Sequence, residues 1–106
     1  MSPLEARLTA LGASGQTVTY GALARDLGWR MGELTEALEA LMVVDHTAGQ
    51  PLRAAICAGR LDSGMPAKGF FIKALDLGLD VTDRATFVTA QRAALRDTAS
   101  GATSAL

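Results

Sequence analysis

Apolar residues recur at helical spacing near the start of the chain, where Leu4, Leu8 and Leu11 lie three to four positions apart. The segment before them, S-P-L-E, has the pattern of a capping box, with serine at the cap, proline at the first helical position and glutamate near it. The pattern predicts a first helix that is closed by Gly12 or Gly15.

A short extended segment and a short helix come next. Residues 17–19, T-V-T, favour a strand, and the pattern over Tyr20–Leu27 favours a helix that ends at Gly28. Leu23 and Ala24 are expected to face inward together with the last leucine of that helix. A helix this short is unstable alone, so we expect neighbouring elements to bury its apolar side.

The longest apolar stripe predicts a third helix over residues 31–44. The stripe consists of Met31, Leu34, Leu38, Leu41 and Met42, and Leu34, Leu38 and Met42 are expected to face the core. The next two predictions are a loop over residues 45–50 and a strand over residues 51–57. Residues 60–69, which contain two glycines and a proline, predict an exposed loop.

Two further helices complete the pattern. Residues 70–77 predict a fourth helix ended by Gly78, and Thr82 is the expected cap of a fifth. One face of the fifth helix carries Phe87, Val88, Gln91, Ala94 and Leu95. Residues 98–106 are small and polar, which favours a flexible C-terminal tail.

This order of elements predicts a mainly α fold with a small β-sheet. The strand before the second helix can pair with the strand after the third, which is the arrangement of a winged helix-turn-helix. We therefore expect one winged-helix domain over residues 1–97 and a tail over 98–106.

Composition narrows the class of protein. Of the 106 residues 49% are hydrophobic and 20% charged, and the net charge is −1. A chain of this kind folds and can expose apolar surface to a partner, but it has no overall positive field that attracts nucleic acid. A single cysteine, Cys57, excludes an internal disulfide and a cysteine-based zinc site. No apolar run approaches the roughly 18 residues of a membrane span, so we expect a cytoplasmic protein without membrane contact.

Charge is divided unevenly along the chain. Residues 31–48 carry Glu33, Glu36, Glu39 and Asp45 with no lysine or arginine, whereas residues 49–73 carry four bases and one acid. Carboxylates repel phosphates, so we expect the outward face of the third helix to stay out of the DNA major groove. The residues predicted to bind DNA are Arg25, Arg30, Arg53, Arg60 and Lys68. The alternative is that these bases form only a solvated face.

Candidate catalytic chemistry is sparse. His46 stands beside Asp45, and Cys57 follows small apolar residues, but neither has a partner at the spacing of a known catalytic motif. Residues 59–64 lack the Gly-Lys-Ser/Thr ending of a phosphate-binding loop. We therefore predict no enzyme, cofactor or metal; a small DNA-modifying enzyme using Cys57 or His46 is a remote alternative.

Two resemblances bear on the fold. The segment GQTVTYGALARDLGW resembles the DNA-proximal part of the alkylguanine DNA alkyltransferases and alkyltransferase-like proteins, which implies a winged helix. Their reactive Pro-Cys-His-Arg motif has no match, because Ala58 and Gly59 follow Cys57. Residues 17–95 are similar to a group of small uncharacterised bacterial winged-helix proteins, through TYGALARDLG, GQPLRAAICAGRLDSGMPAKGFF and ALDLG. That likeness implies the fold and no activity.

The sequence thus predicts a non-enzymatic winged-helix protein that binds double-stranded DNA, in transcription regulation or in bacterial or phage DNA metabolism. Its basic strand and loop are expected to contribute more than its acidic third helix. The alternative is a protein-interaction module or homodimer that has this fold and does not bind DNA.

Overall fold

The structure, a computed structural model, describes residues 2–104, with side chains for residues 2–98. The helices and strands in this part of the chain are α1 (Pro3–Ser14), β1 (Val18–Thr19), α2 (Tyr20–Leu27), α3 (Met31–Thr47), a 3₁₀ turn (Arg53–Ile56), β2 (Cys57–Ala58), α4 (Lys68–Asp76) and α5 (Arg84–Ser104). None of these helices is both long and apolar enough to cross a membrane.

Both ends of α1 follow from local chemistry. The Ser2 hydroxyl accepts a hydrogen bond from the Glu5 N–H at 3.2 Å, which confirms the predicted N-terminal cap. The helix ends at Gly15, whose φ of 72° is left-handed. Gly12 lies inside the helix and is buried. A Cβ added at Gly12 would lie 3.3 Å from the Cβ of Leu95 in α5, which is a tight contact. Gly12 therefore allows α1 and α5 to approach closely.

α2 forms over the residues that its sequence predicts, and α3 begins where predicted. The Thr19 hydroxyl accepts from the Ala22 N–H at 3.2 Å, and Gly28, with φ 70°, ends α2. Leu23 is fully buried, and burial of this side chain stabilises the fold by about 1.5–3 kcal/mol. An isolated eight-residue helix would lack this stabilisation. The turn between the helices is short, and the Glu33 carboxylate accepts from the Arg30 N–H at 3.1 Å at the start of α3.

The predicted end of α3 is wrong by three residues. Residues 45–47 are helical, not part of a loop. The cause is Asp45, which is buried in the last turn of the helix and is paired with Arg53. That contact links residues that are eight apart and has no local signal in the sequence.

The predicted strand over residues 51–57 is also wrong for most of its length. Residues 53–56 form the 3₁₀ turn, closed by the Ala55 N–H donating to the Leu52 carbonyl at 3.0 Å. Ala54, Ala55 and Ile56 are all buried, and an apolar run without alternation does not by itself distinguish a strand from a helical turn. Only Cys57 and Ala58 are strand.

The two strands pair with each other in parallel. Val18 lies opposite Cys57, and Thr19 lies opposite Ala58. The predicted pairing of the strand before the second helix with the strand after the third is therefore confirmed, although the strands do not form an antiparallel wing. The fold is mainly α with a small two-stranded parallel sheet.

The main core lies where α1, α3, the 3₁₀ turn and α5 meet. Its fully buried large side chains include Leu8, Leu34, Met42, Leu52 and Ile56. The inward positions predicted for the second helix also join it, with Leu23 and Ala24 buried. Val88 of α5 is buried, as its predicted face requires.

The C-terminal helices differ slightly from expectation. α4 begins two residues before the predicted Phe70 and ends one residue before the predicted Leu77. α5 is capped by Asp83, which accepts from the Thr86 N–H at 3.1 Å, and not by Thr82, whose hydroxyl donates to Asp80 at 2.7 Å. α5 extends through Ser104, over much of the segment predicted as a tail; residues 105–106 lie outside the described residues.

Candidate functional site

The parallel sheet brings two distant segments to one edge. β1 passes directly into α2 at Tyr20, and β2 passes directly into Gly59 and Arg60. In a parallel pair the carboxyl ends of both strands lie at the same edge, so Arg60 is placed beside the first turn of α2. This position is the candidate site.

A concavity of about 500 Å³ lies at that edge, and we call it the cationic pocket. Its lining is Thr19, Tyr20, Gly21, Ala22, Arg25, Met31 and Arg60. No carboxylate is among the described residues that line it. The first turn of α2 also contributes the partial positive charge of a helix N-terminus. The pocket therefore combines two guanidinium groups and a helix dipole in a form that suits an anion.

The loop that carries Arg60 is held by specific contacts. Arg92 of α5 donates from Nη2 to the Gly64 carbonyl and from Nε to the Ala55 carbonyl, both at 2.8 Å. The Gly59 N–H donates to the Met65 carbonyl at 2.8 Å, which closes the loop on itself. The Asp62 carboxylate packs against Gly59, where a side chain would collide with it. Arg60 therefore extends from an anchored loop.

Sequence reasoning missed Arg92. It lies in a helix whose polar positions suggest only a solvated face, and its two carbonyl partners are 28 and 37 residues away. Its partial burial lowers the pKa of the guanidinium below its usual value. No sequence signal distinguishes it from the other arginines of α5.

A second concavity, of about 310 Å³, adjoins the cationic pocket, and we call it the apolar groove. Its floor consists of the buried side chains Leu38, Met42, Ala54 and Phe70. Tyr20, Met31, Thr35, Glu39, Ala67 and Gly69 complete the lining. Tyr20 and Met31 line both concavities and so separate them.

Tyr20 also fixes the start of α4. Its hydroxyl accepts a hydrogen bond from the Ala67 N–H at 3.0 Å, across 47 positions of sequence. Burial raises the pKa of Tyr20 to about 12, against the hydrogen bond from Ala67, which acts to lower it. The phenol is therefore protonated at neutral pH and joins α2 to α4 as a neutral group.

Arg30 and Lys68 flank the site without lining the cationic pocket. Arg30 is exposed and directly precedes Met31. Lys68 is exposed at the first position of α4, between Ala67 and Gly69, which line the apolar groove. Of the five bases predicted to bind DNA, the structure thus brings Arg25 and Arg60 together and places these two nearby.

Arg53 lies elsewhere and is already paired. Its guanidinium donates to Asp45, with Nη2 2.8 Å from Oδ1, and lines a separate concavity with Thr9 and Leu95. The hydrogen bond to Asp45 raises the pKa of Arg53. The buried carboxylate of Asp45 balances the charge of Arg53, and the pair holds the 3₁₀ turn against α3. We therefore leave Arg53 out of the candidate site.

The residues weighed for catalysis lie outside both concavities. Cys57 is completely buried, and burial raises the pKa of its thiol to about 12. His46 is exposed in the last turn of α3, away from Cys57 in a different concavity. No group of three or more histidine, cysteine or acidic side chains in the described part of the chain is arranged to hold a metal.

The glutamates of α3 (Glu33, Glu36 and Glu39) are exposed, whereas Asp45 in its last turn is buried. Glu33 and Glu36 line neither concavity, and Glu39 lies at the rim of the apolar groove.

The chain matches no protein-family model, and comparison with curated proteins and with solved structures finds no significant similarity. The resemblances to winged-helix proteins therefore stay predictions.

Proposed function

We propose that this protein binds double-stranded DNA, without catalysis, through the phosphate backbone at the cationic pocket. The observation that carries the proposal is that Arg25 and Arg60 line one concavity together with the first turn of α2. Arg60 follows β2 and Arg25 lies in the last turn of α2, and both line the pocket. Two guanidinium groups are suited to a phosphate oxygen, because they supply several charge-assisted hydrogen bonds. A role in transcription regulation or in bacterial or phage DNA metabolism is the corresponding biological proposal.

The proposed contact uses the start of α2 rather than the body of α3. Arg30 and Lys68 flank the pocket and extend its positive charge toward neighbouring phosphates. Glu33 and Glu36 are exposed on α3 and would face phosphates at close range if that helix entered the major groove. Backbone contacts of this kind set affinity and orientation but do not read sequence.

We infer that the domain is a winged helix-turn-helix variant. Three observations support this: α2 and α3 are joined by residues 28–30, a two-stranded sheet packs beside them, and a loop with a basic residue follows β2. The parallel direction of the strands distinguishes the variant from a fold with a hairpin wing. In this proposal, the loop over residues 59–67 occupies the role that a wing has in DNA binding.

A salt titration of DNA affinity tests the proposal. Fluorescence anisotropy is measured with a labelled duplex of about two helical turns, between about 50 and 200 mM salt. Arg25→Ala and Arg60→Ala are each expected to reduce the slope of log K against log salt by about 1, and the double variant by about 2.

Arg7→Ala is the matched control. Arg7 is exposed and pairs with Asp26 at 2.7 Å, outside the cationic pocket. Its removal is expected to leave the salt slope unchanged. Absence of any duplex binding at the lowest salt, or equal slopes in all variants, contradicts the proposal.

The second candidate is self-association or protein binding through α4, favoured by one observation. Ile72 and Leu75 lie three positions apart on its outer face and are 58% and 63% exposed. Exposed apolar pairs of this kind occur at protein interfaces. Sedimentation equilibrium tests it: a concentration-dependent dimer that Ile72→Glu abolishes supports this candidate, and a strict monomer at all concentrations contradicts the homodimer.

A further inference from the structure

The apolar groove has the form of a small-molecule site. Its buried floor, Leu38, Met42 and Phe70 among others, lies below an exposed rim that includes Met31 and Glu39. Its volume of about 310 Å³ is at the lower end of the range for small-molecule pockets, about 300–1,000 Å³. The expected occupant is therefore a compact ligand with an apolar body.

The charge of the lining restricts the ligand further. Glu39 is the one acidic residue, and no lysine, arginine or histidine is present, among the described residues that line the groove. Tyr20 and Phe70 contribute aromatic rings, whose faces attract cations, and Met31 and Met42 contribute polarizable thioethers. A cation with an apolar body complements this lining, whereas an anion would be repelled by the carboxylate.

We propose that the apolar groove binds a small arylalkylammonium ligand. The apolar body lies on the floor formed by Leu38, Met42 and Phe70, and the ammonium group pairs with the Glu39 carboxylate at the rim. The proposal is independent of DNA binding, since Arg25 and Arg60 do not line this groove.

A titration followed by ¹H–¹⁵N correlation NMR tests the proposal near neutral pH. The probe is 2-phenylethylamine, which is an ammonium ion at that pH, and the matched neutral probe is 2-phenylethanol. The amine is expected to shift the amide signals of Met31, Glu39 and Gly69 and to bind about two- to five-fold more tightly than the alcohol, the factor of an exposed ion pair.

Two variants test the role of the Glu39 charge and the role of the space in the apolar groove separately. Glu39→Gln is expected to remove the preference for the amine, while Glu36→Gln, an exposed change outside the groove, keeps it. Gly69→Leu is expected to weaken both probes at least about ten-fold by filling the groove. Gly32→Leu is its control: at both glycines an added Cβ meets nothing within 4 Å, and Gly32 does not line the groove.

The results decide the proposal in either direction. Tighter binding of the amine that disappears in Glu39→Gln, together with weaker binding of both probes in Gly69→Leu, supports it. Equal affinity of the two probes for the unaltered protein, selectivity that survives Glu39→Gln, binding unaffected by Gly69→Leu, or shifts confined to another surface overturns it. The correlation spectrum of each variant reports its folding in the same measurement.

Discussion

The carboxylate of Asp45 receives three donors from Arg53: the main-chain N–H at 3.0 Å, Nε at 3.2 Å and Nη2 at 2.8 Å. Asp45 is 3% exposed, and the arginine side chain covers it from the 3₁₀ turn. The pair joins the last turn of α3 to the segment that leads into β2. Its two residues therefore position the strand from which the Arg60 loop begins.

Removal of the carboxylate is expected to destabilise the fold strongly. Asp45→Ala leaves the Arg53 guanidinium half-buried and without its partner. We expect the free energy of unfolding to fall by about 3 kcal/mol. This value is near the lower limit for buried ion pairs, because 19% of the arginine side chain is exposed. Urea denaturation measures the free energy of unfolding. Asp76→Ala, an exposed change on α4, is the control and should cost less than about 0.5 kcal/mol. A similar loss in both variants would contradict the structural role of the pair.

Tyr20 makes stability depend on alkaline pH. The unfolded phenol ionises at pKa 10.0 and the folded one at about 12, so the folded state holds the proton more tightly. The stabilisation that this difference represents is fully present below pH 10.0 and is lost as the pH rises toward about 12. Tyr20→Phe is expected to be about 1 kcal/mol less stable near neutral pH, because the Ala67 N–H loses its acceptor.

The variant is also expected to show a smaller fall in stability with rising pH. Denaturation curves of both proteins at a series of alkaline pH values provide the test, and all other titrating groups are common to the two. Tyr20 is the one tyrosine of the chain, so phenolate absorbance follows its ionisation directly. An apparent pKa near 10 in the folded protein would contradict the burial described above.

Cys57 is expected to resist thiol reagents until the protein unfolds. Its side chain is fully buried, and its pKa is raised from 9.0 to about 12 by burial. The reactive thiolate is therefore scarce near pH 8, and access is blocked as well. Reaction with an aromatic disulfide reagent should be at least about 100-fold slower in the native protein than in urea. Comparable rates in the two conditions would show that the β1–β2 region opens readily.

The acidic face of α3 provides a test of how DNA is oriented. If the cationic pocket carries the contact, Glu36→Gln should change DNA affinity by less than about two-fold, since the carboxylate lies outside the pocket. Insertion of α3 into the major groove predicts a gain of about ten-fold or more, because a charge repelled by phosphate is removed. Anisotropy titrations at one fixed salt concentration distinguish the two arrangements.

Local signals explain which parts of the fold could be predicted. The limits of α2 were predicted correctly because Thr19 and Gly28 act on their immediate neighbours. The end of α3 depends on Arg53, and the 3₁₀ turn depends on burial from several sides, including the Leu52 N–H that donates to Gln91 at 2.8 Å. Neither dependence is visible in a short window of sequence.

The candidate site was predictable only as a set of residue types. Arg25 and Arg60 were both identified by charge, but their convergence depends on the parallel register of two strands, which the sequence does not encode locally. Arg53 carries the same charge and resembled them in sequence. Its buried partner, Asp45, lies in a segment that the pattern predicted as loop, so its separate role could not be foreseen.

The short β1–β2 pair affects how the protein would respond to an anion bound in the cationic pocket. β1 and β2 are two residues each, and residues 20–56 fold between them. If so small a sheet opens locally, we expect Arg25 and Arg60 to separate, and an anion that contacts both would then bind the closed form alone. Anion binding would then slow amide hydrogen exchange at this edge of the sheet. It would also raise the melting temperature, and the rise would grow with the logarithm of the anion concentration.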